Sequence, residues 1–174
     1  MGIFTSSPRL DSMECLLVDQ LEDLYDAEQR LTKALPKVAA AASDPQLKKL
    51  IQEHLRETEG QVTRLERAFK LLGKEAKSKT CEAMKGLVAE GDEMIGASGD
   101  PAVKDAALIA TAQRVEHYEI AGYGCARTFA QRLGKTEVAR LLEETLDEEK
   151  GADQKLTRLA ESDVNVKGKQ TART

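Results

Sequence analysis

The sequence predicts an all-α protein built as a bundle of four long helices, with a fifth, shorter helix in its longest connection. Three observations carry this. Aromatic residues make up only 3% of the 174 residues while charged residues reach 32%, a balance of long, surface-charged helices that is poor in strand formers. Apolar residues recur at alternating steps of three and four along four stretches, which is the period of a helix with one buried face. Helix breakers fall at a few short strings, "ASDPQ", "LGKEAKSKT", "ASGDPA" and "LGK", and divide the chain into those stretches. A length of 174 residues suits one domain with a single core.

The breakers set the expected elements. Helix A runs over 10–42, helix B over 45–72, helix C over 101–133 and helix D over 135–160, with a crossover helix over 81–97. Asp44-Pro45 and Asp100-Pro101 each place a capping carboxylate before a proline suited to the first helical turn. Gly73 and Gly134 suit the residue after a helix C-terminus. Pro36 lies inside the helix A pattern, where it removes one backbone hydrogen bond and is expected to kink or shorten the helix end. Residues 1–9 are expected to be a flexible N-terminus, 10–163 the folded domain, and 164–174 a flexible basic tail.

Helices joined by two or three residues run antiparallel, so A pairs with B and C with D. The connection from B to C is about 28 residues, long enough to return along the whole bundle.

The net charge of −4 gives the domain no bulk electrostatic reason to bind nucleic acid or anionic lipid. No apolar run approaches a signal peptide core or the ~20 residues of a membrane span, so a soluble, cytoplasmic protein is expected. Cys15, Cys81 and Cys125 are odd in number and widely spaced, which fits reduced, packed thiols.

The buried stripes carry the chemistry. Along helix A the periodic positions are Leu17, Leu21, Leu24, Glu28, Leu31 and Leu35, so one carboxylate interrupts an apolar face. Helix C places Glu116 and Glu119 one turn apart between Ile109 and Tyr123. Helix D places a glutamate mid-stripe, and periodicity leaves Glu148 and Glu149 equally placed. Helix B is less regular: its stripe is read through Leu47, Ile51, Leu55, Val62 and Leu65, with His54 to one side and Glu57 at the margin.

Height along the bundle agrees with these faces. From the A/B turn, Glu28 lies about 15 residues back and Glu57 about 13 forward, a mismatch of roughly 3 Å at the helical rise. Glu119 and Glu148 are similarly level about the C/D turn. Several carboxylates buried at one height cost several kcal/mol each unless cations neutralise them or they share protons. Oxygen-rich ligation with at most one imidazole favours iron or manganese. Tyr25 and Tyr123 lie within one turn of Glu28 and Glu119 and could hydrogen-bond ligand carboxylates.

The strings "LEDLYDAEQRLTKALPKVAAAAS", "HLRETEGQVTRLERAFKLLG", "VEHYEIAGYG" and "LLEETLDEEKGADQKL" resemble the YciE/YciF family of bacterial ferritin-like proteins over about residues 10 to 165. The resemblance implies a ferritin-like fold, a homodimer and an association with bacterial stress. It maps the di-iron pattern onto Glu28, Glu57, Glu116, Glu119 and Glu148, choosing Glu148 over Glu149. The Glu-x-x-His of wider di-iron proteins is missing, since the matching positions are Gly60 and Gly151, and His54 is the candidate replacement. The expectation is a centre of two metal ions, iron first and manganese second, acting on oxygen or peroxide. The competing expectation is a non-enzymatic dimeric stress or structural protein whose metal site is structural or vestigial.

Overall fold

The computed structural model describes residues 10–171, all of whose regular elements are helical. Helix α1 is Met13–Ala41, α2 Pro45–Leu71, α3 Glu82–Gly96, α4 Pro101–Arg132 and α5 Thr136–Leu159. These correspond to helices A, B, the crossover, C and D of the sequence reading. A single π-helical turn, Ala160–Val164, then leads into a short helix α6, Asn165–Thr171. The expected flexible N-terminus 1–9 lies outside the described residues.

The caps follow the expected chemistry. Asp44 accepts from the backbone N–H groups of Gln46 and Leu47, and Asp100 from those of Ala102 and Val103. Each satisfies donors that a helix start leaves unpaired. Gly73 and Gly134 have φ of 68° and 69°, the left-handed conformation a glycine adopts without a Cβ penalty. Pro36 does not end α1, which continues to Ala41. Leu35 and Ala39 on either side of it are buried, so packing holds the last turns despite the lost bond.

In the bundle α1 packs on α2, α2 on α5, α5 on α4 and α4 on α1. The start of α1 (Leu17, Leu21) shares an apolar cluster with the end of α4 (Ala126, Ala130) and the start of α5 (Leu142). Helices α1 and α4 are therefore antiparallel, which requires the α2–α4 connection to traverse the bundle. This is the ferritin-like topology. Crossover helix α3 lies against α1 and α4 and closes one side of the second apolar cluster with Met84. Gly122 lies where α4 meets α1, and a Cβ there would come within 2.8 Å of Leu24 Cδ2, so that side chain would have to shift.

Of the expected flexible tail 164–174, residues 172–174 lie outside the described residues, and Asn165–Thr171 is helical. Val164 is buried in the second cluster, and Lys167 Nζ lies 3.0 Å from Asp44 Oδ2. One apolar anchor and one ion pair thus tie α6 beside the α1–α2 turn. The same turn is fastened from inside by buried Asp105, which accepts from the backbone N–H groups of Ser43 and Asp44. Leu50, Leu87 and Val88 are partly buried against the second cluster. No helix among the described residues is long and apolar enough to cross a membrane.

Candidate metal centre

The two apolar clusters fill opposite ends of the bundle, and a polar layer separates them. Glu28 comes from α1, His54, Thr58 and Gln61 from α2, Glu116 and Glu119 from α4, and Thr145 and Glu149 from α5, all buried. No lysine or arginine among the described residues is buried with them. Ligand atoms of His54, Glu116, Glu119 and Glu149 lie within 4.8 Å of one another, close enough for one group of ions to be shared among them.

His54 is oriented for this. Its Nδ1 lies 3.4 Å from Glu57 Oε2, while its Nε2 lies 3.4 Å from Glu116 Oε1 and 3.8 Å from Glu149 Oε2. With the proton on Nδ1 donated to Glu57, Nε2 turns its lone pair to the carboxylates, the usual arrangement of a metal-ligating histidine held by a carboxylate behind it. Hydrogen bonding from His54 holds the Glu57 carboxyl below its ordinary value.

The carboxylates lack the partners that protein groups normally provide. Both carboxyl oxygens of Glu119, and one each of Glu28, Glu116 and Glu149, are buried without a hydrogen-bond partner, as is His54 Nε2. Native proteins rarely leave such groups unpaired, and here they converge on one place. Burial, reinforced by the neighbouring carboxylates, pushes the carboxyls of Glu28, Glu116 and Glu119 well above their ordinary value. In the metal-free protein they hold protons where exposed glutamates would be ionised. Oxygen donors from four glutamates and one imidazole nitrogen are the donor set of iron and manganese, so the residues fit a metal centre.

Two further groups position the layer. The Tyr123 hydroxyl donates to Glu28, and burial pushes its own ionisation well up, so it stays a donor. Tyr25 does not join: its hydroxyl donates to Glu66 Oε1 at 2.8 Å, outside the layer. The Gln61 amide donates to Glu149, and also to Glu148 Oε2 at 3.0 Å.

Of the residues mapped by resemblance, the structure brings Glu28, Glu116 and Glu119 into the layer together with His54. Glu148 lies at the margin of the layer, 31% exposed. Arg64 grips its two oxygens at 2.9 and 2.8 Å, a two-point clamp that uses the carboxylate at the bundle margin. Its neighbour Glu149 takes the buried position. Glu57 stands behind His54, its other oxygen 3.7 Å from Lys155 Nζ, rather than among the converging ligand atoms. Glu149, left open by periodicity, and Gln61, absent from the sequence reading, both lie on buried faces. Steps of three and four through Leu142, Thr145, Glu149, Ala152 and Leu156, and through His54, Thr58, Gln61 and Leu65, trace the buried faces.

Comparison with known proteins agrees with the fold. Residues 12–168 match the family described as a domain of unknown function, DUF892. Protein YciF of Escherichia coli strain K12 is 44% identical over 164 residues, covering 94% of this chain and 99% of that protein. The crystal structure of the E. coli stress protein YciF aligns with a TM-score of 0.86 over 90% of this chain and 99% of that one. YcfI from Rhodopseudomonas palustris aligns at 43% identity with a TM-score of 0.83, over 89% of this chain and 98% of that one. A protein from Xanthomonas campestris pv. campestris, at 23% identity, shares the fold with a TM-score of 0.73 over 92% of this chain and 99% of its own. The match across nearly all of its length and the 44% identity to YciF make this chain a member of the DUF892 family.

Proposed function

We propose that the polar layer is a centre for two divalent metal ions, iron or manganese, in a bacterial stress protein that reacts with dioxygen or peroxide. The observation that carries the reading is the convergence of buried oxygens on Glu28, Glu116, Glu119 and Glu149 that no donor other than a neighbouring carboxyl reaches. Four buried carboxylates with no buried lysine or arginine beside them match the charge of two divalent cations, and burying them ionised without such cations is prohibitive.

Bound iron or manganese would supply reversible one-electron oxidation. The chain's own residues do the rest. His54, fixed by Glu57, offers one nitrogen. Glu116, Glu119 and Glu149 offer oxygens from α4 and α5, and Glu28 completes the layer from α1. Tyr123 donates its hydroxyl proton to Glu28 and so favours the ionised carboxylate a metal needs, and Gln61 pins the rotamer of Glu149. Leucines above and below the layer exclude water. The association with stress comes from the relative's description as a stress protein; the proposed homodimer rests on the family resemblance, with Leu10, Leu71, Val103 and Val166 as exposed apolar residues available for contact.

A second reading, a structural protein whose metals only brace the bundle, has support in the description of R. palustris YcfI as a candidate structural protein. Metal analysis of protein purified without chelator tests the centre: about two ions per chain are expected, and their loss in Glu119→Leu. Protein that contains no iron or manganese, and takes up neither when they are added, overturns both readings.

A further inference from the structure

Glu116 lines two small cavities on different sides of the bundle. One lies between α2 and α5, beside His54 and the Glu57–Lys155 pair, and its volume is about 10 Å³. That is room for about one water among polar groups. The other lies under the crossover helix, between α1, α3 and α4, with a volume of about 40 Å³. Its walls are aliphatic, including Leu31, Leu35, Val88, Leu108 and Ala112, and its outer edge is Asp92, paired with Lys37 Nζ at 3.3 Å.

The two cavities select different molecules. A cavity walled by aliphatic side chains gives a water or a hydrogen peroxide molecule no hydrogen bonds, so it stays dry and favours small apolar molecules. Its size suits a diatomic gas and is too narrow for a substantial organic substrate, which needs hundreds of Å³. The cavity beside His54 is mixed, with Leu50, Ile51, Ala152 and Leu156 facing His54, Glu57 and Lys155, and those polar groups can hold a water. Thr111, the hydroxyl-bearing residue on the apolar wall, already donates to Ala107 O at 2.9 Å and has no proton left to offer a ligand.

We propose that the cavity under α3 is a dioxygen port that opens onto the centre at Glu116, and that dioxygen rather than peroxide is the oxidant the protein is built to admit. This rests on the metal reading above. In ferrous protein one dioxygen oxidises two ferrous ions and takes up two protons, giving two ferric ions and one hydrogen peroxide, so no further reductant is needed.

The port is tested first without metal. In chelated protein under dioxygen pressure, paramagnetic relaxation of methyl groups by the dissolved gas should be several-fold stronger at Leu35 and Val88 than at Leu21 and Leu142, which are buried in the other cluster. Xenon should occupy the same cavity in pressurised crystals. Ala112→Phe, which fills the cavity, should abolish both signals. Val88→Phe provides a second filling variant from α3 if the first fails to fold.

In ferrous-loaded protein the ratio of dioxygen-driven to peroxide-driven oxidation rates should fall about tenfold in the filled variant, as expected when a close-packed wall replaces a path. Equal relaxation at both ends of the bundle, no xenon under α3, or an unchanged ratio of rates would each overturn the port. Failure to load metal would overturn the proposed function, and with it the port's role, while the gas signals would still report a gas-binding cavity.

Discussion

The two apolar ends of the bundle and the layer between them obey opposite energetics. At the ends, Leu17, Leu21 and Phe69 on one side and Leu47, Ile51 and Leu108 on the other are buried to 2% exposure or less, and each such side chain contributes about 1.5–3 kcal/mol by leaving water. In the middle, Glu28, Glu116, Glu119 and Glu149 are as deeply buried, yet burial works against each of them. A sequence under selection for folding alone would continue leucine through the middle. The ends make the fold, and the layer uses part of that stability to hold a function.

Substitutions can sharpen this contrast. The largest effect is expected at the ends: Leu21→Ala or Phe69→Ala should cost about 3–5 kcal/mol, by the same amount with chelator or with iron. Denaturant unfolding measures both. A cost that depended on metal would mean the ends and the layer are not separable.

Glu119→Leu should behave in the reverse way. The partner of Glu119 is the neighbouring Glu28 carboxyl and not a cation, so the metal-free variant should be as stable as the wild type or up to about 1–4 kcal/mol more stable. The wild type should gain about 2.7 kcal/mol from metal at a hundred times its dissociation constant, and the variant should not. A destabilised variant together with a wild type indifferent to metal would place an unseen partner on Glu119 and break the comparison.

The adjacent glutamates of α5 divide along the same line. Glu148→Ala removes the two-point partner of Arg64, which keeps Thr145 Oγ1 at 2.7 Å and Glu144 Oε2 at 3.5 Å, and should cost about 1 kcal/mol while metal content stays near wild type. Glu149→Ala should leave metal-free stability nearly unchanged and lower metal affinity at least tenfold, a loss of the size seen when ligand positioning fails. Titration calorimetry with manganese separates them, and equal losses of affinity would put Glu148 back among the ligands.

The smallest effect is pH dependence. The carboxyls of Glu28, Glu116 and Glu119 are raised well above their ordinary value, so above the usual glutamate range the native metal-free protein binds protons the unfolded chain has lost. Its stability therefore falls as pH rises through this window. Glu57, held lower by His54, acts oppositely, and only at more acidic pH. Chelated protein should be more stable near about pH 5.5 than near about pH 8, whereas metal-loaded protein should gain with pH because its ligands must be deprotonated. Thermal melts at the two pH values, with and without chelator, check the crossing.

How much of this was legible in the sequence differed by helix. Glu28, Glu116 and Glu119 stood out because their neighbours on the stripe are apolar, so each reads as an interruption. Helix α2 hid its face because three consecutive stripe positions, His54, Thr58 and Gln61, are polar, and a search for apolar residues slid sideways onto Leu55 and Val62. Glu148 and Glu149 differ by 100° of helical rotation, and what separates them is a tertiary fact, the Arg64 clamp on Glu148. The order of α6 was equally hidden, since only the fold brings Lys167 to Asp44. The caps at Asp44 and Asp100 were readable because capping is a local interaction.

The most direct test of the metal centre is anomalous diffraction at the iron and manganese absorption edges, from crystals of protein purified without chelator. The centre predicts peaks enclosed by Glu28, His54, Glu116, Glu119 and Glu149, with Glu148 turned away on Arg64. A layer with no anomalous peak at either edge after soaking in both metals, its carboxylates hydrogen-bonded to one another or to water, would contradict it.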